Sequence, residues 1–433
     1  MKTKKNLCAK MLAVVPTLLV GAAIGFTACT STTNKTDKTE QTEKVAEVAD
    51  TVADADFKAL AAVMPKYARA YNFSEGLARV CDEQTELWGF IDKTGKEVIP
   101  CKFHYVISDF HDGVAMAMTD EQTYIAIDKE GNKVFDFDYM YNSGDFSEGR
   151  LSVCRTVDGL EDGNFPMVGN IMVFGHLGFI DTKGNMVVKP DTYEVPLGEG
   201  PIIDSFSDGM CRVFKGGLLF YIDKKGKELD LSQYRSGNDF SDGLASVFND
   251  DWKMGFVDKT GKLVVPCMYD YGGSFGEGRA FVAKDNQLAI IDSKGKELTP
   301  FQFDLIKLYE DTEGEEDLIA RFSEGLAWAA KDGKFGYVDK EGNTVIPFRY
   351  LPGKDEDVTS EWFDHQPCYD FHQGLARVWD KATGKYGYID KKGNEVVPCR
   401  FDEAEDLSEG LAVVRVGEKS GYVNTKGECT MNH

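Results

Sequence analysis

The chain repeats one pair of short phrases nine times, and this repetition limits the folds that it can adopt. The first phrase reads Phe-Ser-Glu-Gly-Leu-Ala at residues 73–78, and the second reads Gly-Phe-Ile-Asp-Lys-Thr-Gly-Lys at residues 89–96. Copies of the first phrase begin at Phe73, Phe110, Phe146, Phe206, Phe240, Phe275, Phe322, Phe371 and Leu407. A fixed period of this kind predicts an array in which each repeat is one small structural element stacked on its neighbours.

The second phrase predicts a tight β-hairpin turn. Asp92 and Gly95 stand three residues apart, and an Asp or Asn precedes a Gly by the same spacing in every copy. The Asp carboxylate can accept backbone N–H groups, while Gly supplies a positive φ without steric cost. The flanking residues 89–91 and 97–99 are rich in aromatic and β-branched side chains, and Pro100 ends the run. Each repeat is therefore predicted to consist of short antiparallel β-hairpins.

Comparison of the copies separates the two faces of the strand that follows the first phrase, because side chains alternate along a strand. The position of Ala78 is occupied by Ala or Cys in every other copy except one, which has Leu151. A constant small residue predicts a tight core position. The next position, Arg79, varies from Ser to Trp among the copies, which predicts an outward face.

Residues 88–100, which begin Trp-Gly-Phe-Ile-Asp-Lys, resemble the repeats of bacterial WG-repeat proteins, with residues 73–78 ahead of them. The resemblance extends from about Tyr71 to Glu428. Later copies replace the Trp by Met254, Phe335 or Tyr386 and keep the Gly, while copies two, four and six lose the Gly as well. The resemblance implies an all-β repeat assembly, usually in exported or surface-associated bacterial proteins, and it implies no established reaction.

The predicted fold is all-β, a tandem repeat array of short antiparallel β-hairpins. Closed propellers typically have about 4–8 blades. Nine unequal repeats exceed that range, so we expect an open, curved or solenoid-like array rather than a closed propeller, although the residues alone are compatible with both.

The amino terminus predicts export. Lys2, Lys4 and Lys5 precede an apolar stretch that ends before Phe-Thr-Ala-Cys29, which resembles a lipoprotein signal. An ordinary signal peptide with an incidental Cys29 is the alternative. The predicted domains are a cleaved signal peptide at 1–28, the lipidated Cys29 with a flexible polar tether at 29–64, and the repeat domain at 65–433, with insertions near 154–177, 304–321 and 351–370. We expect a membrane-anchored lipoprotein, in the outer membrane, on either its periplasmic or its cell-surface side.

The amino-acid composition disfavours some classes of binding partner. The formal net charge of −23 disfavours binding to nucleic acid or to anionic lipid head groups, so membrane contact is expected through the lipid anchor only. The ten cysteines do not predict a disulfide framework, because Cys101, Cys267 and Cys399 occupy the same position in distant repeats. A bridge to Cys368 is the one that the sequence leaves open.

No residue pattern predicts catalysis. Residues 272–276 match Gly-x-Ser-x-Gly, but they overlap the repeat phrase and no helix pattern follows. His111 and His372 occupy a position that Ser fills in other copies, which indicates a polar loop. We therefore expect no enzyme activity, no cofactor and no metal site.

Function is expected where the repeats differ. The insertion at 351–370 combines acidic residues with Trp362, Phe363 and Tyr369, and we predict that these three aromatic residues form an interaction patch. The predicted function is a non-enzymatic, envelope-anchored scaffold that binds an unidentified protein or glycan. The alternative is a glycan-binding protein, or an enzyme or accessory that acts on glycans through the inserted loops. That alternative predicts that Trp328, Trp362 and Trp379 are exposed on one face.

Overall fold

A computed structural model describes residues 52–121, 123–138, 141–142, 144–157, 165–169, 171–197, 202–308, 316–352 and 366–431. The chain divides into two compact units, 1–46 and 47–433, and the described residues belong to the second. They contain one α-helix, α1 (Asp54–Val63), followed by a 3-10 turn (Met64–Lys66). Within these ranges, no helix has the length and apolar character that crossing a membrane requires.

The remaining elements are β-strands, which follow the nine repeats. Repeats 1 to 3 contain β1 (Tyr67–Ala70), β2 (Leu77–Asp82), β3 (Trp88–Asp92) and β4 (Glu97–Phe103), then β5 (Tyr105–Val106), β6 (Ala115–Met118), β7 (Tyr124–Ile127) and β8 (Lys133–Phe137), then β9 (Tyr141–Asn142), β10 (Arg150–Thr156), β11 (Met167–Val168), β12 (Ile171–Asp181) and β13 (Met186–Pro196). Repeats 4 to 6 contain β14 (Met210–Lys215), β15 (Leu218–Asp223) and β16 (Glu228–Asp230), then β17 (Ser236–Gly237), β18 (Leu244–Phe248), β19 (Met254–Asp258) and β20 (Leu263–Tyr269), then β21 (Tyr271–Gly272), β22 (Arg279–Lys284), β23 (Gln287–Asp292) and β24 (Phe303–Asp304). The rest are β25 (Ile306–Leu308) and β26 (Glu316–Leu318), repeat 7 with β27 (Leu326–Lys331), β28 (Lys334–Asp339) and β29 (Thr344–Tyr350), repeat 8 with β30 (Leu375–Asp380), β31 (Lys385–Asp390) and β32 (Glu395–Phe401), and repeat 9 with β33 (Glu403–Ala404), β34 (Leu411–Val416) and β35 (Lys419–Asn424).

Each repeat is an antiparallel meander. Repeats 1, 2, 5 and 6 form four-stranded sheets in chain order, and repeats 7 to 9 form three-stranded sheets. Repeats 3 and 4 share one eight-stranded sheet, because β13 pairs with β14, and β25 pairs with β26 between repeats 6 and 7. None of the sheets in the described ranges closes on itself as a barrel. The predicted all-β tandem array of short antiparallel hairpins is confirmed.

The turn between the third and fourth strands forms as predicted. In repeat 1 the Oδ1 atom of Asp92 accepts the backbone N–H groups of Thr94 at 2.9 Å and of Lys96 at 3.1 Å. Gly95 has φ +79°, a region that other residues rarely adopt. Asn424 caps the corresponding turn of repeat 9 with the same two contacts, to Lys426 and Glu428. The turn is therefore a local device that each repeat builds for itself.

The Gly of the Trp-Gly pair is needed because the neighbouring strand bulges over it. Between β3 and β4, Trp88 is opposite Phe103 and Phe90 is opposite Ile99, so the backbone of β4 bulges at 100–102. A Cβ atom added to Gly89 would lie 2.5 Å from the Ile99 carbonyl oxygen. In repeat 2, which has Ile125 at this position, β7 and β8 pair without the bulge there. Loss of the Gly and loss of the bulge therefore go together.

The hydrophobic core lies between neighbouring sheets. One cluster joins repeats 1 and 2 through Phe90, Phe110 and other side chains, and further clusters follow at the next interfaces. The position of Ala78 is fully buried, as predicted. The neighbouring position is buried in six copies, with Phe281 at 0% and Trp328 at 5% exposure, and half-buried in the three copies that have Arg, so its assignment to an outward face is wrong. Neighbouring repeats cover both faces of the second strand, and each interface selects its own side chain.

The first and last repeats contact each other. Ser408 Oγ donates to the Phe73 carbonyl at 2.6 Å, the Tyr422 hydroxyl donates to the Tyr71 carbonyl at 2.7 Å, and the Val413 N–H donates to Asn72 Oδ1 at 2.8 Å. One hydrophobic cluster combines side chains of repeats 1 and 9. The nine repeats therefore form a closed cycle of interfaces, as propeller blades do, whereas an open array would leave these groups apart. The cycle contains nine repeats, which is more than the about 4–8 blades that are typical of closed propellers.

Helix α1 lies within the range predicted to be a flexible tether, but it packs on the repeats. Phe57 and Leu60 are buried in the cluster that joins repeats 1 and 9. Asp54 Oδ1 contacts Lys426 Nζ at 2.5 Å, and Val63 lies against the turn at Gly95. Residues 52–64, which the predicted boundary assigned to the tether, thus belong to the folded body.

Cysteines within the described ranges are free thiols. Cys101, Cys267 and Cys399 are partly buried in their separate repeats, and Cys211 fills the small core position. Cys368, for which the sequence left a bridge open, is a buried thiol without a disulfide partner in these ranges.

Candidate interaction faces

The loop that holds the first phrase is a two-residue hairpin turn. Ser74 and Leu77 exchange backbone hydrogen bonds, and the two residues between them, Glu75 and Gly76, have φ of +52° and +86°. Positive φ at both central positions defines a type I′ turn, which suits the twist of the flanking strands. All nine copies carry an acidic residue or Gln and then Gly at these two positions, each with positive φ. The residues of the first phrase thus recur because the backbone of this turn requires positive φ at two positions.

These loops are linked to one another around the whole cycle. The Glu75 carboxylate accepts the Gly113 N–H of the next repeat at 3.0 Å, and Glu409 of the last repeat accepts the Gly76 N–H of the first at 3.0 Å. The seven intervening pairs are Asp112 with Gly149, Glu148 with Gly209, Asp208 with Gly243, Asp242 with Gly278, Glu277 with Gly325, Glu324 with Gly374 and Gln373 with Gly410. We call this ring of nine contacts the belt.

Lysines of the second phrase complete the belt. Lys129 Nζ lies 3.0 Å from Glu75 Oε2 of the preceding repeat, and Lys93 of repeat 1 lies 3.1 Å from Glu409 of repeat 9. Four further interfaces have the same ion pair. Where the acid is replaced by Gln373, the lysine position of the next repeat holds Thr425, and Thr182 and Ser293 take the lysine position next to Asp112 and Asp242. The two recurring phrases therefore hold neighbouring repeats together.

The belt defines one face of the protein. In an antiparallel meander, the loop before the second strand and the turn before the fourth strand lie at the same end of the sheet. The belt loops and the Asp-Gly turns share this end, which we call the constant face. The opposite end, the variable face, carries the hairpins between second and third strands and the connections between repeats. The described ends of the insertions near 154–177, 304–321 and 351–370 continue such hairpins or connections, so these ends belong to the variable face.

A polar cluster lies at the sheet edge formed by the short first strands. Arg377 Nε lies 3.0 Å from Asp406 Oδ1, its Nη1 donates to the Ala404 carbonyl at 2.6 Å, and its guanidinium carbon is 3.8 Å from the centre of the Tyr369 ring. Arg79 repeats this arrangement with Asp109, the Val106 carbonyl and Tyr71. The arginines thus bind neighbouring repeats to each other.

Several carboxyl groups at this edge have raised pKa values, among them Asp370 and Asp239. Burial, followed by the charge of Asp406, raises the pKa of Asp370 from 3.8 to about 7, although Arg321 and Arg377 oppose the shift. Burial, followed by the charge of Asp204, raises the pKa of Asp239 to about 6. Such shifts occur at functional sites, but they also occur in structural ion-pair networks. Here burial and the neighbouring acids account for the raised pKa values. Within the described ranges, no three His, Cys, Asp or Glu residues are grouped so that they could hold a metal ion.

The predicted patch is only partly described. Tyr369 is half-buried against Arg377, its carbonyl accepts the Tyr337 hydroxyl at 2.8 Å, and it belongs to the polar cluster. Trp362, Phe363 and the predicted lipidation site Cys29 lie outside the described residues.

A cavity of about 320 Å³ opens on the variable face next to this insertion. Residues 349–351 at the end of β29 and residues 379–382 of the next hairpin line it. This cavity was not predicted, because the two segments are adjacent only in the folded array.

Exposed tryptophan occurs elsewhere than predicted. Trp328 and Trp379 are 5% and 7% exposed, so they do not form an exposed face, and Trp362 lies outside the described residues. Trp252, in the hairpin between β18 and β19, is 60% exposed. The sequence feature that could have indicated this exposed Trp is Asn-Asp-Asp-Trp-Lys at 249–253. It resembles the Asp-Gly turns of the repeats but has Trp where they have Gly.

Three solved structures show the extent of similarity to known folds. A eukaryotic initiation factor matches with 10% identity over 83% of this chain and 93% of its own, at a TM-score of 0.48. AztD from Citrobacter koseri matches with 14% identity over 84% and 92%, at 0.35, and BamB from Moraxella catarrhalis with 12% identity over 63% and 82%, at 0.30. TM-scores this low establish no common fold or function. No curated protein sequence matches the chain significantly.

The repeats themselves match a known family. The family described as WG containing repeat matches residues 63–84, 88–121, 178–218, 254–287, 317–335, 335–350 and 386–419. These segments fall on the strands, turns and belt loops described above. The chain therefore carries WG-containing repeats at seven positions.

Proposed function

We propose that this protein is a non-enzymatic scaffold of the cell envelope, anchored through a lipid on Cys29, and that it binds a partner with its variable face. The observation that carries the proposal is the separation of the two faces. On the constant face, the acids and glycine N–H groups of the first-phrase loops pair with one another in the belt, together with six lysines. The variable face carries the described ends of the three insertions, which a repeating scaffold can change without disturbing its interfaces.

The polar cluster supports a scaffold over an enzyme. Arg79 and Arg377 each bind a carboxylate, a backbone carbonyl and a tyrosine ring of the protein itself. An active site needs a nucleophile or base held towards a substrate position. These groups are directed at one another, which stabilises the interfaces between repeats.

The cavity between repeats 7 and 8 supports the position of the binding surface. It lies where the third insertion leaves β29, and Trp379 lines it. The patch at Trp362, Phe363 and Tyr369 belongs to the same insertion, so we propose that cavity and patch contribute to one recognition surface. Trp362→Ala is expected to weaken partner binding, because aromatic residues often anchor interfaces.

Photo-crosslinking in intact cells tests which face binds. A photoreactive amino acid is placed singly at Leu218, Leu351 or Val416 on the variable face, where the native side chains are exposed. Matched controls carry it at Thr94, Lys225 or Lys294, which are exposed in turns of the constant face. We expect protein or glycan adducts from at least one variable-face position and none from the controls. Adducts confined to the control positions would overturn the proposal.

A further inference from the structure

Trp252 occupies the turn position that holds Gly in the Asp-Gly turns of the repeats. In its turn, Asn249 Oδ1 accepts the N–H groups of Asp251 at 3.0 Å and of Lys253 at 2.8 Å, as Asp92 does for Thr94 and Lys96. Trp252 has φ +56°, a rare value for a bulky side chain. A residue held in such a conformation suggests a function that offsets the strain.

Trp252 shares its surface with a second exposed aromatic residue. Tyr271, in the first strand of repeat 6, is 50% exposed. The ring of Phe248 lies 6.3 Å from the Trp252 ring and 6.5 Å from the Tyr271 ring, between centroids. Phe248 is half-buried and thus supports both exposed rings. We call Phe248, Trp252 and Tyr271 the aromatic platform, which belongs to the variable face.

Two ion pairs of the protein itself border the platform. Arg235 Nε lies 3.1 Å from Asp250 Oδ1, and the Arg235 guanidinium carbon is 5.8 Å from the centre of the Trp252 ring. Lys253 pairs with Asp270 on the other side of the hairpin. A charged ligand would have to compete with these ion pairs. An uncharged ligand can add hydrogen bonds to them without breaking them, for example to the well-exposed Asp250 carboxylate.

The size of the platform favours a small ligand unit. A stable protein interface buries about 800 Å² on each partner around a cluster of anchors. Two exposed rings offer much less, but they match the apolar C–H face of one or two sugar rings, and the paired carboxylates and cations can bind the sugar hydroxyls. We propose that the aromatic platform binds an uncharged oligosaccharide. This inference rests on the proposed use of the variable face and names a ligand class for one part of it.

Isothermal titration of the purified full chain with cellohexaose, maltohexaose, xylohexaose, mannohexaose and chitohexaose tests the proposal. We expect at least one of these sugars to bind with a Kd below about 1 mM. Trp252→Gly satisfies the positive φ, so it is expected to melt at the same or a higher temperature than the wild type while its affinity falls at least tenfold. Trp252→Phe is expected to retain part of the affinity.

A matched control comes from repeat 2. Tyr105 holds the position equivalent to Tyr271, is 44% exposed and packs on the buried Trp88. Tyr271→Ala is expected to weaken sugar binding, and Tyr105→Ala to leave it unchanged. The proposal is overturned if none of the five sugars binds, or if Trp252→Gly binds as the wild type does. The crosslinking experiment uses other positions, so a failure of sugar binding at the platform does not change the crosslinking result. Conversely, crosslinked adducts from the constant face alone would contradict the proposed function even if the platform binds sugar.

Discussion

The closed cycle makes a quantitative prediction at the interface between repeats 9 and 1. The buried Tyr422 hydroxyl donates to the Tyr71 carbonyl at 2.7 Å across this interface. Tyr388, at the same position in repeat 8, donates to the Glu405 carbonyl of repeat 9 at 2.7 Å. In a closed cycle, the two hydrogen bonds are equivalent. In an open array, only the bond of Tyr388 would exist.

Replacing either Tyr by Phe removes one hydroxyl and leaves a partly buried carbonyl without this donor. Such a change costs about 1–3 kcal/mol. The folded body has roughly 380 residues, and an unfolding entropy of about 2.1 cal/mol/K per residue gives about 0.8 kcal/mol/K, so the melting temperature should fall by about 1–4 °C. The expected result is the same fall for Tyr422→Phe and Tyr388→Phe.

Differential scanning calorimetry of the two variants and the wild type measures this fall. Tyr337→Phe serves as a further control within the cycle, since its hydroxyl donates to the Tyr369 carbonyl at 2.8 Å. If Tyr422→Phe melted with the wild type while the two controls were destabilised, the interface between repeats 9 and 1 would not exist in solution and the closed cycle would be refuted.

Three other predictions follow from single residues. Gly261→Val should cost about 1–3 kcal/mol in stability because φ is +83° there, and Thr260→Val should have a small effect; equal melting temperatures for the two variants would contradict the turn assignment. Asp370 holds its proton in the folded state up to about pH 7, whereas its ordinary pKa is 3.8. Between these values the unfolded chain binds fewer protons, so this group makes stability fall as pH rises, and Asp370→Asn should flatten that slope in urea titrations at pH 5 and pH 8. An unchanged slope would show that other groups cause it. Cys29→Ala should move the protein from the membrane to the soluble fraction while signal cleavage continues, and a cleaved variant that stays membrane-bound would exclude the lipid anchor.

The local structure of the repeats could be predicted from the sequence because each repeat builds its own turns. The spacing of Asp92 and Gly95 is a complete signal, since one carboxylate and one positive φ suffice for the turn. The Ala78 position could be assigned to the core for the same reason, because the residue is small in nearly every copy. Local chemistry and repetition together carry this part of the prediction.

The outward assignment of the Arg79 position failed because alternation separates the two faces of a strand but does not tell whether each face is covered. A second strand that lies between two neighbouring sheets has no solvent face, and the variety at this position reflects different neighbours.

The sequence does contain a feature that is consistent with the closed cycle. Glu409 in the last copy and Lys93 in the first keep the charges that pair with each other across the closure.

Helix α1 determines where the chain enters the folded body. Asp54 at its start contacts Lys426 in the turn of repeat 9, and Val63 at its end lies on the turn of repeat 1. Both turns belong to the constant face. The chain therefore joins the folded body at the constant face. The variable face, with the cavity and the aromatic platform, lies at the opposite end of the sheets from this junction.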